Sequence, residues 1–452
     1  MRPYRYHQLS LTERFSPHHA HVTELQQMSK ILDRMPEAIA QVQADLLHGG
    51  IDATRGREGM TADQVLRVLI VKQMNGFSYE DLAFHLGDSS AYRAFCRIDI
   101  SEPPPTKSTL QRNIKLVTPE SLESINRMLV LHASAKGVES GRKIRTDSTV
   151  VESAIHEPSD SSLLWDSVRV LVRLMNQARA LVDVTLTDHS RRAKRRALAI
   201  RNTGSNDKRR ALYRDLLRVA QHTINDAKQV MDILTAHPFN DMRVKIIASR
   251  LSEELNQIMD LAGRVWDQAY RRVILGGSVP SNEKIVSIFE PHVDIIVKDR
   301  RETLYGHKLF ITAGASGMIP DAIVESGNPA DAALAVNMVK RQIEIYGRQP
   351  SQAAFDGGFA SKSNLQEIKE LGVHDVAFSK GRGLRVTEMV KSSWVYRRLR
   401  NFRAGVEGVI SFLKRCFCLD RCPWSGLTSF KAFTWGSIVA ANLLILARHA
   451  IT

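Results

Sequence analysis

The chain lacks an uninterrupted apolar run of about 18 residues, the length a helix needs to cross a bilayer. The most apolar stretch, FTWGSIVAANLLILA (433–447), has 15 residues and reads as a buried C-terminal helix. No signal peptide and no amphipathic lipid-binding helix is legible, so no membrane partner is expected and the expected location is cytoplasmic. Cysteine is scarce, four in 452 residues, which is the usage of a reducing compartment rather than of a disulfide scaffold. Three of the four, Cys416, Cys418 and Cys422, lie close together. Their spacing matches no standard zinc knuckle and no fourth ligand is evident, so they read as packing residues. Internal repeats and low-complexity tracts are also missing.

What is present is ordinary globular material with an unbalanced charge. Hydrophobic residues make up 43% of the chain and charged residues 25%, enough for two or three domains with real cores. The net charge of +15 favours a polyanionic partner, nucleic acid before membrane surface, and no small-molecule substrate is expected.

The N-terminal region, 1–135, reads as helices. MTADQVLRVLIVKQMNG begins at Thr61 as an N-cap and stops at Gly76, and SYEDLAFHLGDSSAYRAFC restarts at Ser78. SEPPPTKSTLQRNIKLV then breaks at three prolines and resumes at a Lys-Ser-Thr cap. Short helices with tight turns and basic tips suit a helix-turn-helix-like DNA-binding module, and a plain helical bundle fits the same pattern. RKIRTDSTVVES (142–153) has the β-branched content of a strand, and it opens the first part of an α/β core, 136–162. A helical segment, 163–278, interrupts that core. Within it, residues 187–218 hold eleven Lys or Arg against three Asp, an imbalance that suggests phosphate contact. The core resumes over 279–452. KIVSIFEPHVDIIVKDR, HKLFITAGASGMIPDAIVES, QAAFDGGFA and VHDVAFSK read as strands, with PADAALAVNMVKRQIEIYG as a helix among them and a final helix around RAGVEGVISFLKR. The expected fold class is therefore α/β, a mixed sheet split by a large all-α insertion and preceded by an all-α N-terminal domain.

Three carboxylates stand out in that layer. Asp147 sits inside the RTDSTVV strand, Asp356 ends the strand QAAFD, and Glu407 lies on the final helix. At about 100° per residue, Arg403, Glu407 and Lys414 fall within roughly 40° of one another, on a stripe beside the apolar face. An i,i+4 salt bridge between Arg403 and Glu407 is the plain reading of that stripe. If all three acids converge at one sheet edge, they offer three hard oxygen ligands of the kind Mg²⁺ or Mn²⁺ takes. A pair of such ions about 3.5–4 Å apart is the arrangement used for phosphoryl transfer.

These segments resemble the DDE-type transposases of bacterial insertion sequences. RTDSTVVES is similar to the first-Asp strand of that family, FDGGFAS to its second-Asp segment, and RAGVEGVISFLKR to its third, where Arg precedes Glu by four and Lys follows by seven. GREGMTADQVLRVLIVKQMNGFSYEDLAFHL is similar to the family's helical N-terminal domain, and YGHKLF (305–310) to the strand after the insertion. The resemblance covers the chain from about residue 55 onward, least specifically in the insertion. Two positions depart from the pattern: Arg400 stands where a Tyr is common, and Gly357 where an Arg is usual.

The resemblance implies an RNase H-like catalytic core and the activity of a DNA transposase. Such an enzyme binds the double-stranded ends of its element, cleaves them with two Mg²⁺ (or Mn²⁺) ions and joins the 3′-OH to target DNA. Asp147, Asp356 and Glu407 would be the catalytic, metal-binding triad. Arg403, Lys414, Arg400, His307 and Lys308 would contact DNA, with a packed strand histidine an equal reading of His307. The insertion would clamp the element's end, and Trp165 or Trp266 could stack on a displaced base, although core packing is the plainer reading of both. A homodimer would pair the two ends, in a nucleoid-associated setting. The competing readings are a metal-dependent nuclease without strand transfer and an inactive DNA-binding repressor of its own element.

Overall fold

The computed structural model describes residues 19–48, 59–99, 101–298 and 302–451. The first residues of the N-terminal motif, 56–58, and the tail of the strand expected up to residue 300 lie outside this range. The chain forms two compact units, one of residues 1–154 with 307–452 and one of residues 155–306.

Among the described residues the first unit opens with seven helices: α1 (Ala20–Asp33), α2 (Pro36–Leu47), α3 (Ala62–Asn75), α4 (Tyr79–Asp88), α5 (Ser90–Cys96), α6 (Lys107–Ile114) and α7 (Pro119–Ala135). Local chemistry sets their ends. Thr61 and Gln64 close a capping box on α3, Gly76 ends it at φ 64°, and Ser78 with Asp81 boxes α4. The cap of α6 is Thr106, directly after the prolines. Strand β1 (Lys143–Ser153) follows.

The second unit holds α8 (Asp160–Ala178), α9 (Ser190–Asn202), α10 (Asn206–Ala236) and α11 (Met242–Ala269) around a core of their own. Strand β2 (Asp294–Lys298) pairs antiparallel with the start of β3 (Glu302–Ala313), Asp294 opposite Gly306. Trp266 belongs to the packing of this unit: its indole N–H donates to the Leu217 carbonyl at 2.9 Å and its ring stacks on Tyr270. Trp165 is half-buried, with the cations of Arg169 and Lys194 each 5.7 Å from its ring centre.

Back in the first unit come β4 (Asp321–Glu325), α12 (Ala335–Tyr346), β5 (Gln352–Phe355), α13 (Lys362–Glu370), β6 (Asp375–Phe378), α14 (Val386–Met389), α15 (Ser393–Cys416), β7 (Arg421–Cys422) and α16 (Leu427–Ile451). The sheet runs β3-β1-β5-β6, with β4 added on β3 and β7 on β1. β1, β5 and β6 are parallel, while β3 and β4 are antiparallel, so the sheet is mixed. Helix α13, absent from the sequence-based reading, supplies the crossover that a parallel β5–β6 pair needs.

Alternation along β3 sorts its residues to two faces. Leu309 and Ile311 join one apolar cluster with the N-terminal helices and α16, and Phe310 joins the other with α12 and α13. The N-terminal helices therefore share a core with the sheet rather than folding around one of their own. Helix α16 is long and apolar enough to cross a membrane, yet nearly all of its apolar window is buried in this core. Of the final cysteines two pack as expected: Cys422 is buried, and Cys418 lies so close to Gly76 that a Cβ there would stand 2.4 Å from its sulfur, whereas Cys416 is exposed on the last turn of α15.

Candidate active site

Register brings two of the carboxylates together. β1 and β5 pair from Lys143 opposite Gln352 to Thr146 opposite Phe355, so the next residues on the two parallel strands are Asp147 and Asp356. Both lie at the C-terminal end of β5, the edge where parallel sheets present functional groups. The Asp147 side chain is 13% exposed and that of Asp356 is 40% exposed. Ser379, just past β6, donates its hydroxyl to Asp356 Oδ1 at 2.8 Å and accepts the Gly357 N–H at 2.9 Å, which fixes the turn after β5.

Helix α15 delivers the third. Its first half is anchored by Val395 and Leu399 in one apolar cluster, and its second half by Val406, Val409 and Leu413 in the other. Arg403 and Glu407 sit near the crossing between them. The helix approaches β1 closely here. Arg145 Nη1 donates to the Phe402 carbonyl at 3.2 Å, and its guanidinium lies 4.8 Å from the centre of the Phe402 ring. A Cβ on Gly405 would stand 2.1 Å from that same nitrogen, so a larger residue there would require the end of the Arg145 side chain to shift.

One guanidinium then joins all three acids. Arg403 Nη2 lies 2.6 Å from Asp147 Oδ2 and 3.3 Å from Asp356 Oδ1, and Nη1 lies 3.2 Å from Glu407 Oε1. Burial raises the Asp147 carboxyl to about 6, with the charges of Asp356 and Asp331 adding to it, and Arg403 and the Ser148 N–H opposing. Asp356 moves the other way. Its desolvation is outweighed by the Ser379 and Gly357 hydrogen bonds and by Arg403, which hold it below the usual carboxylate range.

The remaining expected contacts divide. Arg400 is exposed on α15 just before Arg403. Lys414 does not reach Glu407: it pairs with Asp420 at 3.1 Å, because seven residues of helix carry it about 10 Å further along the axis. His307 cannot touch DNA from where it lies, with 0% exposure and an edge-on contact with Phe430. Its neighbour Lys308, pointing to the opposite face of β3, pairs with Asp331 at 3.1 Å and donates to the Pro329 carbonyl at 2.8 Å. Asp331, Ser148 and Ser379 were not singled out by the sequence. The only signal for Asp331 was a charge before a helix in NPADAAL, which reads as a turn former.

Among the described residues no three His, Cys, Asp or Glu side chains are arranged to hold a metal ion. The cause is visible in the geometry: the Arg403 nitrogens stand between the carboxylates. The donor set nevertheless fits a hard cation, since oxygens from three separate segments already surround one positive charge.

No curated protein and no solved structure matches the chain. Two family models do. Residues 10–116 match a model described as Transposase domain (DUF772), and residues 297–443 match one described as Transposase DDE domain. The second match covers two of the three acids and the first covers the helical N-terminal region, and together they make the chain a DDE-type transposase.

Proposed function

We propose that this transposase serves a bacterial insertion sequence. It binds the element's ends as double-stranded DNA, hydrolyses a strand at each end, and joins the freed 3′-OH to target DNA. The observation that carries this reading is the convergence of Asp147, Asp356 and Glu407, from two adjacent strands and a crossing helix, on one cationic group. An RNase H-like core is the fold this arrangement of sheet and helix favours.

Asp147, Asp356 and Glu407 would hold two divalent cations, Mg²⁺ or Mn²⁺, which supply polarisation of the attacking and leaving oxygens in an in-line displacement. The chain's own groups do the rest. Ser379 and the Gly357 N–H orient Asp356. Arg403 turns from the carboxylates to a phosphate of the cut strand, where its planar fork can bind two oxygens. Arg400 and Lys414 extend the cationic line along α15 to backbone phosphates.

In the hydrolytic step a water oxygen bonds to phosphorus as the bond to the 3′-oxygen breaks, leaving a 3′-OH on the element and a 5′-phosphate on the flank. In the joining step that 3′-oxygen attacks, its proton passes to solvent, and the target's 3′-oxygen leaves. Pairing two ends calls for a second copy of the chain.

The test is a cleavage and strand-transfer assay on the DNA ends of the protein's own locus with Mg²⁺, comparing wild type with Glu407→Gln. Cleavage and joining by wild type, with binding alone by the variant, is the expected result. Cutting without joined products would make the protein a nuclease. Equal cutting by both would reduce Glu407 to a salt-bridge partner of Arg403. Binding without cutting by either would favour a repressor.

A further inference from the structure

Asp331 opens the short turn Asp331–Ala333 ahead of α12. Its Oδ1 accepts two hydrogen bonds, from Ser148 Oγ at 3.2 Å and from Lys308 Nζ at 3.1 Å. Ser148 is the residue after Asp147. The other oxygen, Oδ2, abuts Gly358, two residues after Asp356, where a Cβ would stand 2.6 Å away. One carboxylate thus touches both segments that bear the paired aspartates.

A second, independent tie joins the same pieces. The buried amide of Asn364 donates to the Ala332 carbonyl at 2.7 Å and to the Phe359 carbonyl at 2.9 Å, lashing the turn that carries Asp331 to the turn that follows Asp356. Lys308 holds the other side of the Asp331 turn through the Pro329 carbonyl and offsets the carboxylate's charge. Four segments, β1, β3, the Asp331 turn and the Asp356 turn, meet at this side chain.

We propose that Asp331 is a positioning residue of the catalytic centre: through Ser148 on one side and Gly358 on the other it sets the spacing between Asp147 and Asp356. This rests on the reading of those two aspartates as cation ligands. Asp331 is not itself a ligand, because one oxygen is committed to two donors and the other faces the glycine. The spacing does not depend on its negative charge. It depends on the side chain's shape and its two accepted bonds, and an asparagine supplies both. Groups that orient metal ligands from outside the coordination sphere typically affect cation affinity by about 10- to 100-fold.

The experiment is Mn²⁺ titration by calorimetry of the full-length protein without DNA, with the thermal midpoint measured on each sample. The variants are Asp331→Ala, Asp331→Asn and Gly358→Ala. The expected result is Mn²⁺ affinity weaker by about 10-fold for Asp331→Ala and Gly358→Ala, and within about two-fold of wild type for Asp331→Asn. Should Asp331→Ala fail to fold, Gly358→Ala carries the same displacement with the carboxylate kept. Wild-type affinity in the folded alanine variants overturns the proposal, as does an asparagine variant as weak as the alanine. Absence of Mn²⁺ binding by wild type overturns the cation reading of the site, and this proposal with it.

Discussion

The guanidinium of Arg403 lies 2.6 Å from the carboxylate of Asp147, and the oxygen it holds is one a metal ion would need. If the acids are metal ligands as proposed, arginine and divalent cation compete for the same oxygens. A charge-assisted hydrogen bond is worth about 1.5–3 kcal/mol, equivalent to about 10- to 100-fold in affinity. Arg403→Gln is expected to bind Mn²⁺ about 10-fold more tightly than wild type in the absence of DNA, as read by calorimetry. Duplex DNA should raise wild-type Mn²⁺ affinity by drawing the guanidinium to phosphate, and should leave the variant unchanged. Equal DNA-free affinities for wild type and variant would contradict the competition.

The same aspartate gives a pH dependence. Burial raises Asp147 to about 6 in the folded protein, against an ordinary value of 3.8. Below about pH 6 it takes up a proton and ceases to be a ligand, so Mn²⁺ affinity should fall about tenfold per pH unit there and level off above pH 7. Stability runs in the opposite sense. A raised carboxyl contributes stability that is fully present below 3.8 and lost as pH rises through about 6. Asp147→Asn mimics the protonated form, so at pH 8 it should unfold at higher urea, by about 1–3 kcal/mol, while losing cleavage. A variant less stable than wild type at pH 8 would refute this assignment.

The placement of these acids was legible in the sequence for a physical reason. Both aspartates sit where a β-branched or apolar run meets small residues, and a parallel pairing makes the ends of two such runs neighbours. Glu407 was legible as the acid on an amphipathic helix. Lys414 was misplaced because a helical wheel records angle and omits rise: it shares the angle of Glu407 but stands two turns away. For His307 the sequence left contact and burial open, since alternation along β3 assigns faces without saying which face is the interior. Asp331 was out of reach because its partner Ser148 is 183 residues distant in sequence. Helix α13 was missed because NLQEIKE offers only one apolar turn.

Where α15 crosses β1, Gly405 leaves room for the Arg145 guanidinium. A methyl there meets Arg145 at 2.1 Å, and the neighbour is itself bonded to the Phe402 carbonyl and cannot retreat freely. Gly405→Ala should cost about 1–3 kcal/mol in chemical denaturation and lower cleavage by displacing Arg403 and Glu407 from the aspartates. Gly408, one turn on, has nothing within 4 Å of the same added atom. Gly408→Ala should therefore stabilise the helix by up to about 1 kcal/mol with cleavage retained. Similar behaviour of the two variants would show that helix propensity, not the close approach, governs this site.

The basic helices of the second unit separate into neutralised and available cations. Arg192 and Arg196 on α9 each bond Asp215 of α10 at 2.5 Å. Arg191, Arg195 and Arg201 on α9, and Arg214 and Arg218 on α10, are exposed and form no ion pair among the described residues. If this unit holds the DNA backbone, the second group is free to release counterions from it and the first is not. Each phosphate contact contributes about 0.9 to the slope of log affinity against log salt. Replacing Arg191, Arg195 and Arg201 together with Gln should weaken binding to duplexes of any sequence alike and reduce that slope by about 2 to 3. Replacing Arg192 and Arg196 should change it by less than about 1, because their charge is already answered by Asp215. Fluorescence anisotropy across a salt series measures both. A slope unaffected by the triple substitution would remove α9 from the DNA interface and leave its charge as a solvated face.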